Sequence, residues 1–201
     1  MKIVEPIRDI KDIELIKKLL KSDWKFRELL LFELWINSAL RISDLLKITV
    51  GDVFDENGNV KNDFRVKEQK TSKNGQIFIT PKVKETLKLY KATYPFIMKN
   101  TANHLFFRQK KFESRSEGLW DKPISACMAR RLVSWWCHRI NLKGSYWTHS
   151  MRKSWGYQAR QQNIDMSLIQ HRLNHSSLSV TKRYLWITDN ELKDVCNKLD
   201  L

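Results

Sequence analysis

The run from Trp24 to Leu40 constrains the fold most. It packs Phe26, Leu29, Leu30, Leu31, Leu34 and Trp35 into a helical length with little polar surface. A helix that is apolar over so much of its girth has to be largely buried, so the rest of the chain must pack around it. The preceding segment, Asp9 to Lys21, places Ile10, Ile13, Ile16, Leu19 and Leu20 at a helical period. After the central run, Ile42 to Ile48 reads as a short helix with Asp44 in its first turn, and Asp52 to Val60 as a polar loop around Glu56-Asn57-Gly58-Asn59. Six glycines and four prolines leave most of the 201 residues free for regular structure.

The periodicity changes once. Phe64-Arg65-Val66-Lys67-Glu68 and Gln76-Ile77-Phe78-Ile79-Thr80 alternate apolar and polar. They predict a β-hairpin, with Asn74-Gly75 as its turn element. Pro81 then fits the first position of a helix running to about Tyr94. Asn100 to Trp120 reads as irregular apart from a short strand at Leu105-Phe106-Phe107, with Arg108, Lys110, Lys111 and Arg115 in a mobile basic loop. Pro123 to Ile140 predicts a helix with Met128, Leu132, Trp135 and Trp136 near one face. Further helices are expected at about Ser150–Gln162, Ser167–Arg172, Ser179–Trp186 and Asn190–Leu199. The expected fold is mainly α with a small antiparallel β-sheet, an α+β domain occupying residues 1–201 without a linker.

Charge narrows the partners. The formal net charge is +15, and such a surface attracts polyanions. Cys127, Cys137 and Cys196 form no C-x-x-C pair, and the chain shows neither a signal peptide nor an apolar run of membrane-spanning length. It therefore reads as cytosolic with reduced thiols and no membrane partner.

The chemistry lies in a few spaced residues. Arg41 opens Ile42-Ser43-Asp44-Leu45-Leu46. The helix dipole disfavours a cation at that end, so an arginine there asks for an anionic partner, either a substrate phosphate or an internal carboxylate such as Asp44. His149 and Arg152 stand three apart on one helical face, with Thr148 as a natural N-cap. Leu173-Asn174-His175-Ser176-Ser177 follows, and then Tyr184. Read singly, each has a structural explanation: a surface arginine, a chance H-x-x-R, a half-buried tyrosine. Together, two arginines, two histidines and a tyrosine suit phosphodiester transfer without a metal.

Their order and spacing resemble the tyrosine recombinase, or phage integrase, family. The segment Ala39-Leu40-Arg41-Ile42-Ser43-Asp44-Leu45 is similar to that family's G-L-R-I-S/G-E/D-L, with alanine for glycine. Leu173 to Ser177 is similar to its L-G-H-S-S box, with Asn174 for glycine. Asparagine tolerates the left-handed conformation best after glycine, so that turn should survive. The resemblance runs from about Glu5 to Leu192 and is weakest from Asn100 to Pro123.

The resemblance implies catalytic roles for Arg41, Lys70, His149, Arg152, His175 and Tyr184. The arginines would clamp the phosphate, a hairpin lysine would protonate the leaving 5′-oxygen, and Tyr184 would attack phosphorus. Glu68-Gln69-Lys70-Thr71 matches best, so Lys70 is the expected acid and Lys73 the alternative. Asp44 matches the buried acidic position expected to orient arginines. Tyr157 and Tyr146 lack the spacing of a nucleophile, His171 reads as a surface residue, and His104 and His138 have no motif around them.

Such a chain would need no cofactor. It would act on double-stranded DNA as a dimer or tetramer, with an accessory DNA-bending protein as a further partner, in the nucleoid of a prokaryotic or phage-infected cell. Other readings keep the fold: a catalytically silent DNA-binding regulator, or a type IB topoisomerase-like nicking-closing enzyme. The chain begins almost at the catalytic domain. It thus resembles short single-domain forms such as the fimbrial phase-variation invertases, or an isolated domain; Met1 and the helix close behind it favour the short form. Leu192, Val195 and Leu199 form an apolar stripe on the last helix, about 189–201, that could pack in cis or be exchanged between protomers.

Overall fold

The computed structural model describes residues 4–70, 72–108, 122–185, 193, 196, 197 and 199. It divides into two compact units, residues 1–155 and 156–201, the boundary falling inside one helix. The class is the expected one, helices with one two-stranded antiparallel sheet. None of the described helices is long and apolar enough to cross a membrane.

In the first unit the apolar run forms α2, Phe26–Ser38, and ten of its thirteen residues are buried, so it is the central helix. Helix α1, Ile10–Ser22, lays Ile13, Ile16 and Leu20 into the core and is capped by the Asp9 carboxylate, which accepts from the Lys11 amide. Helix α5, Pro81–Thr93, packs on α2 through Val83, Leu87 and Tyr90, with Thr80 as its N-cap and Pro81 at the first helical position, as expected. Helix α6, Ala126–Arg139, starts at the Ser125 cap. Its buried stripe is Ala129, Val133, Trp136 and Cys137, so of the expected Met128, Leu132, Trp135 and Trp136 face only Trp136 is fully buried, with Leu132 and Trp135 at the core's margin. Trp136 decides the rotation by packing edge-on against Phe32 of α2, ring centroids 5.5 Å apart. Met128 is left exposed, and Trp135 instead carries Lys25 at 4.0 Å and Arg139 at 5.0 Å over its ring. Burial pushes the Cys137 thiol up to about 12; all three cysteines are free.

Three local expectations change. The short helix after Arg41 ends early: α3 is Ile42–Leu45, and a second turn, α4, spans Val50–Val53 where a loop was expected to begin. The Asp52 carboxylate explains α4, because it accepts from both the backbone N–H and the hydroxyl of Thr49 at 2.8 and 2.9 Å. The hairpin pairs β1, Asp63–Lys67, with β2, Asn74–Phe78, in the register Asp63↔Phe78 and Lys67↔Asn74. Asn74-Gly75 therefore lies in the ladder and does not make the turn. The turn is closed by Glu68 N–H to the Lys73 carbonyl and Ser72 N–H to the Glu68 carbonyl, and Ser72 takes the positive φ of 55°. Leu105-Phe106-Phe107 is buried but forms only isolated bridges, through His104 to Thr49 and Phe107 to Pro123. The basic loop expected beyond Arg108 lies, over residues 109–121, outside the described residues.

The second unit holds the end of α7, Thr148–Gln161, with α8, Met166–Arg172, and α9, Leu178–Leu185. A Cβ on Gly156 would sit 2.4 Å from Leu185 Cδ2, so the missing side chain lets α7 and α9 approach closely. Ala159, Ile169, Leu173 and Leu185 fill its interior. Of the expected terminal stripe, Leu192 and Val195 lie outside the described residues, and Leu199 is exposed.

Ala39, the C-cap of α2, has φ 54° and ψ 19° and is buried. This left-handed geometry is why a glycine fits the position, and a β-branched side chain there is strongly disfavoured. Ala39→Val should lower stability by at least about 2 kcal/mol, a fall in Tm of roughly 4–8 °C for a chain of this size. Ala39→Gly should change it by less than about 1 kcal/mol, lost methyl burial offsetting relieved strain. Thermal melts of both variants check this.

Candidate active site

In the first unit, Arg41 is the N-cap of α3 and lies at the corner that Ala39 makes after α2. Two side chains hold that corner. Trp35 Nε1 donates to the Leu40 carbonyl at 3.1 Å, and Arg152 donates to the Ala39 carbonyl at 2.6 Å. Arg152 is only 3% exposed, so a guanidinium is brought from α7 into the interior beside the corner.

The Arg41 guanidinium pairs with Glu68, at the end of β1. The internal carboxylate that the sequence asked for is thus Glu68, not Asp44. Asp44 is fully buried and accepts from the Gln69 amide at 2.9 Å. The signal for Glu68 was present: with period two, Phe64, Val66 and Glu68 share one face, and a charge at a core-facing position asks for a partner. Lys70 follows in the turn, exposed, with Lys73 exposed on its other side.

His149 lies in the first turn of α7, which begins at Thr148; Thr148 is inside the helix rather than capping it. The turn is tied by the Trp147 amide donating to Ser150 Oγ at 3.0 Å. His149's pKa is held below the ordinary 6.5, first by burial and then by the positive charges of Arg152, Lys153, Arg41 and Lys70. The structure therefore gathers Arg41, Lys70, His149 and Arg152 within one electrostatic neighbourhood. Lys153, absent from the expected set, belongs to it; burial lowers its own pKa, and it donates to the Val4 carbonyl at 2.9 Å.

In the second unit, Asn174 adopts φ 49°, as its role in place of glycine requires. That turn carries His175. The imidazole Nδ1 is 3.1 Å from Thr181 Oγ1, whose hydroxyl also reaches the Ser177 carbonyl at 3.2 Å. With the hydroxyl proton given to Ser177, Nδ1 is the donor to Thr181 Oγ1. The His175 ring meets Tyr184 of α9 edge-to-face, centroids 4.9 Å apart. His171 is exposed, as expected. Tyr146 is buried, its hydroxyl donating to the Lys143 carbonyl, and burial pushes its pKa up to about 12.

The helical fold is that of a class, the tyrosine recombinases. The chain belongs to the phage integrase family, whose pattern matches residues 9–191. It is 33% identical over 190 residues to a probable integrase/recombinase, YoeC, of Bacillus subtilis, covering 94% of this chain and 93% of that one. It is 26% identical to the tyrosine recombinase XerC of Caldanaerobacter subterraneus, covering 92% of this chain but 49% of the relative. The crystal structure of the XerH site-specific recombinase in a post-cleavage complex with palindromic difH substrate superposes with a TM-score of 0.71. That match has 17% identity, covers 99% of this chain and 54% of XerH, and shows a shared fold. The chain thus spans about half the length of these two Xer proteins.

The lowered pKa of His149 sets a pH expectation. Its folded value lies below 6.5, so the imidazole is neutral at pH 7 and gains a proton only in more acid solution. The unfolded chain takes up that proton first, so this contribution to stability is complete above about pH 6.5 and shrinks as pH falls below it. The His149 ring protons followed by NMR should titrate with a midpoint below 6.5, and Lys153→Gln should move the midpoint upward. A wild-type midpoint at or above 6.5 would contradict the described surroundings.

Proposed function

We propose that this chain is a site-specific DNA recombinase that cuts and rejoins strands through a 3′-phosphotyrosyl intermediate. Tyr184 attacks the scissile phosphate, the phosphorus–5′-oxygen bond breaks, and the 5′-hydroxyl departs. A second 5′-hydroxyl later reverses the step, so the bond energy is kept in the protein–DNA ester and no nucleotide is consumed. Arg41 and Arg152 hold the non-bridging oxygens, where the planar fork suits the phosphate. Lys70, the better match to the family's hairpin segment, gives the proton to the departing oxygen, with Lys73 the alternative. His149, neutral at pH 7, takes the proton of the attacking phenol. His175, held by Thr181 at its Nδ1 edge, hydrogen-bonds a non-bridging oxygen of the phosphate.

The observation that carries this reading is the convergence around His149 of Arg41, Lys70 and Arg152, cations from three segments far apart in sequence. Concentrated like charge of that kind is costly unless an anion is to be bound. Double-stranded DNA supplies that anion, and the net charge of +15 fits it. The reaction needs no metal in this scheme, and it joins partner strands when two or more protomers assemble on paired sites.

The test starts from a randomised pool of nicked duplexes. SDS-resistant adducts formed by the wild-type chain are captured and sequenced, with EDTA present throughout. A preferred sequence should emerge, and Tyr184→Phe should form no adduct while binding the selected duplex nearly as well. An adduct with the phenylalanine variant would move the nucleophile, Tyr157 being next. Absence of any adduct, with binding intact, would favour a silent regulator.

Arg152→Lys should cleave at least about tenfold more slowly, roughly 1.4 kcal/mol of transition-state stabilisation. Arg152 must serve the Ala39 carbonyl and the phosphate together, and a point donor cannot do both. Binding should weaken with salt at a log–log slope of about −0.9 for each phosphate contacted. A flat salt titration would exclude DNA as the partner.

A further inference from the structure

Glu68 is 6% exposed, and Arg41, which pairs with it, is half-buried. Two residues further along the chain is Lys70, and between them the Gln69 amide is held by Asp44. The base of the hairpin turn is therefore fastened to α3 twice: Arg41 to the Glu68 carboxylate, and Asp44 to the Gln69 amide. Both fastenings join the segment that carries one expected phosphate-clamping arginine to the segment that carries the expected general acid. From this geometry we propose that Glu68 is a positioning residue of the cleavage reaction, orienting the Arg41 guanidinium for the phosphate.

Two outcomes are open to such a pair when a phosphate arrives. The phosphate could displace Glu68, which would then act as a plug, or it could bind the remaining donors of Arg41 while Glu68 stays. Glu68 is nearly enclosed, and breaking its ion pair would strand a desolvated carboxylate. Arg41 has five N–H donors, and among the described residues the polar partner of its guanidinium is Glu68. Sharing is the cheaper path. One edge of the fork is fixed by Glu68, so the other is presented in a set direction and loses little rotamer freedom on binding. Asp44 acts beside it by a different route, through the backbone of Gln69 rather than through a guanidinium.

This inference rests on the reading of the chain as a phosphotyrosyl-forming recombinase, and the experiment separates the two. Single-turnover adduct formation is measured on the selected nicked duplex at saturating protein, together with Kd, for wild type, Glu68→Gln and Glu68→Asp, each alone and over Arg41→Ala. Glu68→Gln should cleave about tenfold more slowly or worse, with Kd unchanged or tighter, since removing a negative charge cannot weaken attraction to DNA. Glu68→Asp keeps the carboxylate one methylene short and should recover most of the rate, leaving a loss of about two- to fivefold. Over Arg41→Ala, followed for hours, neither change should cost more than about twofold, because Glu68 acts through Arg41.

Melting curves are recorded for every variant. If Glu68→Gln does not fold, the same cycle is read with Glu68→Asp. Wild-type cleavage by a folded Glu68→Gln protein would overturn the proposal, as would an equal loss with and without Arg41. Faster cleavage by Glu68→Gln would overturn it in favour of the plug. Failure of wild type to form any adduct would instead remove the recombinase reading itself.

Discussion

The hydrogen bond from Arg152 to the Ala39 carbonyl is the contact on which the first unit's candidate site depends. It spans 113 positions of sequence and joins α7 to the corner between α2 and α3. A charge-assisted bond of this kind contributes on the order of 1.5–3 kcal/mol, and here it does more than stabilise. It takes a guanidinium out of water, fixes its direction, and places it beside the corner that carries Arg41. The corner can offer its carbonyl because Ala39 is left-handed, and Trp35 holds the next carbonyl, that of Leu40. Backbone conformation, a tryptophan of the central helix and a buried arginine thus form one unit of structure.

Electrostatics follow from that placement. An excess of positive charge is a property of the whole chain, but the reactive consequence is local. At His149, burial and four cations act in the same direction and keep the ring neutral at pH 7. A neutral imidazole among cations can take a proton from an attacking hydroxyl, whereas an imidazolium could not. Glu68 and Asp44 work against the same charge excess from the interior side. Each is buried and meets a donor across the junction of α3 and the hairpin turn, Glu68 the Arg41 guanidinium and Asp44 the Gln69 amide, so the carboxylates hold donors in place.

The second unit solves a smaller problem by a similar device. Asn174 takes the left-handed turn, Thr181 fixes the face of the His175 ring, and the ring packs edge-on against Tyr184. The nucleophile proposed for the reaction therefore packs against an imidazole that is itself anchored. Gly156 allows the close helix approach that seats Leu185, the residue next to Tyr184.

Local rules alone determined much of this protein. The apolar density of Phe26 to Trp35 made α2 central, Pro81 and its neighbours started α5, and the spacing of Arg41, His149, Arg152, His175 and Tyr184 pointed to one chemistry. Asn174 was legible because only a few residue types tolerate positive φ. Three-dimensional packing decided what local rules leave degenerate. The rotation of α6 was set by Trp136 meeting Phe32, since a tryptophan-rich helix offers more than one apolar face. The hairpin register moved Asn74-Gly75 into the ladder because cross-strand pairing and the closure at Glu68 and Ser72 outweighed a favourable turn dipeptide. The partners of Arg41 and Arg152, a carboxylate 27 positions away and a carbonyl 113 away, belong to no sequence motif. Spacing along a chain fixes which side chains can share a face; only the packed core fixes which distant group each of them meets.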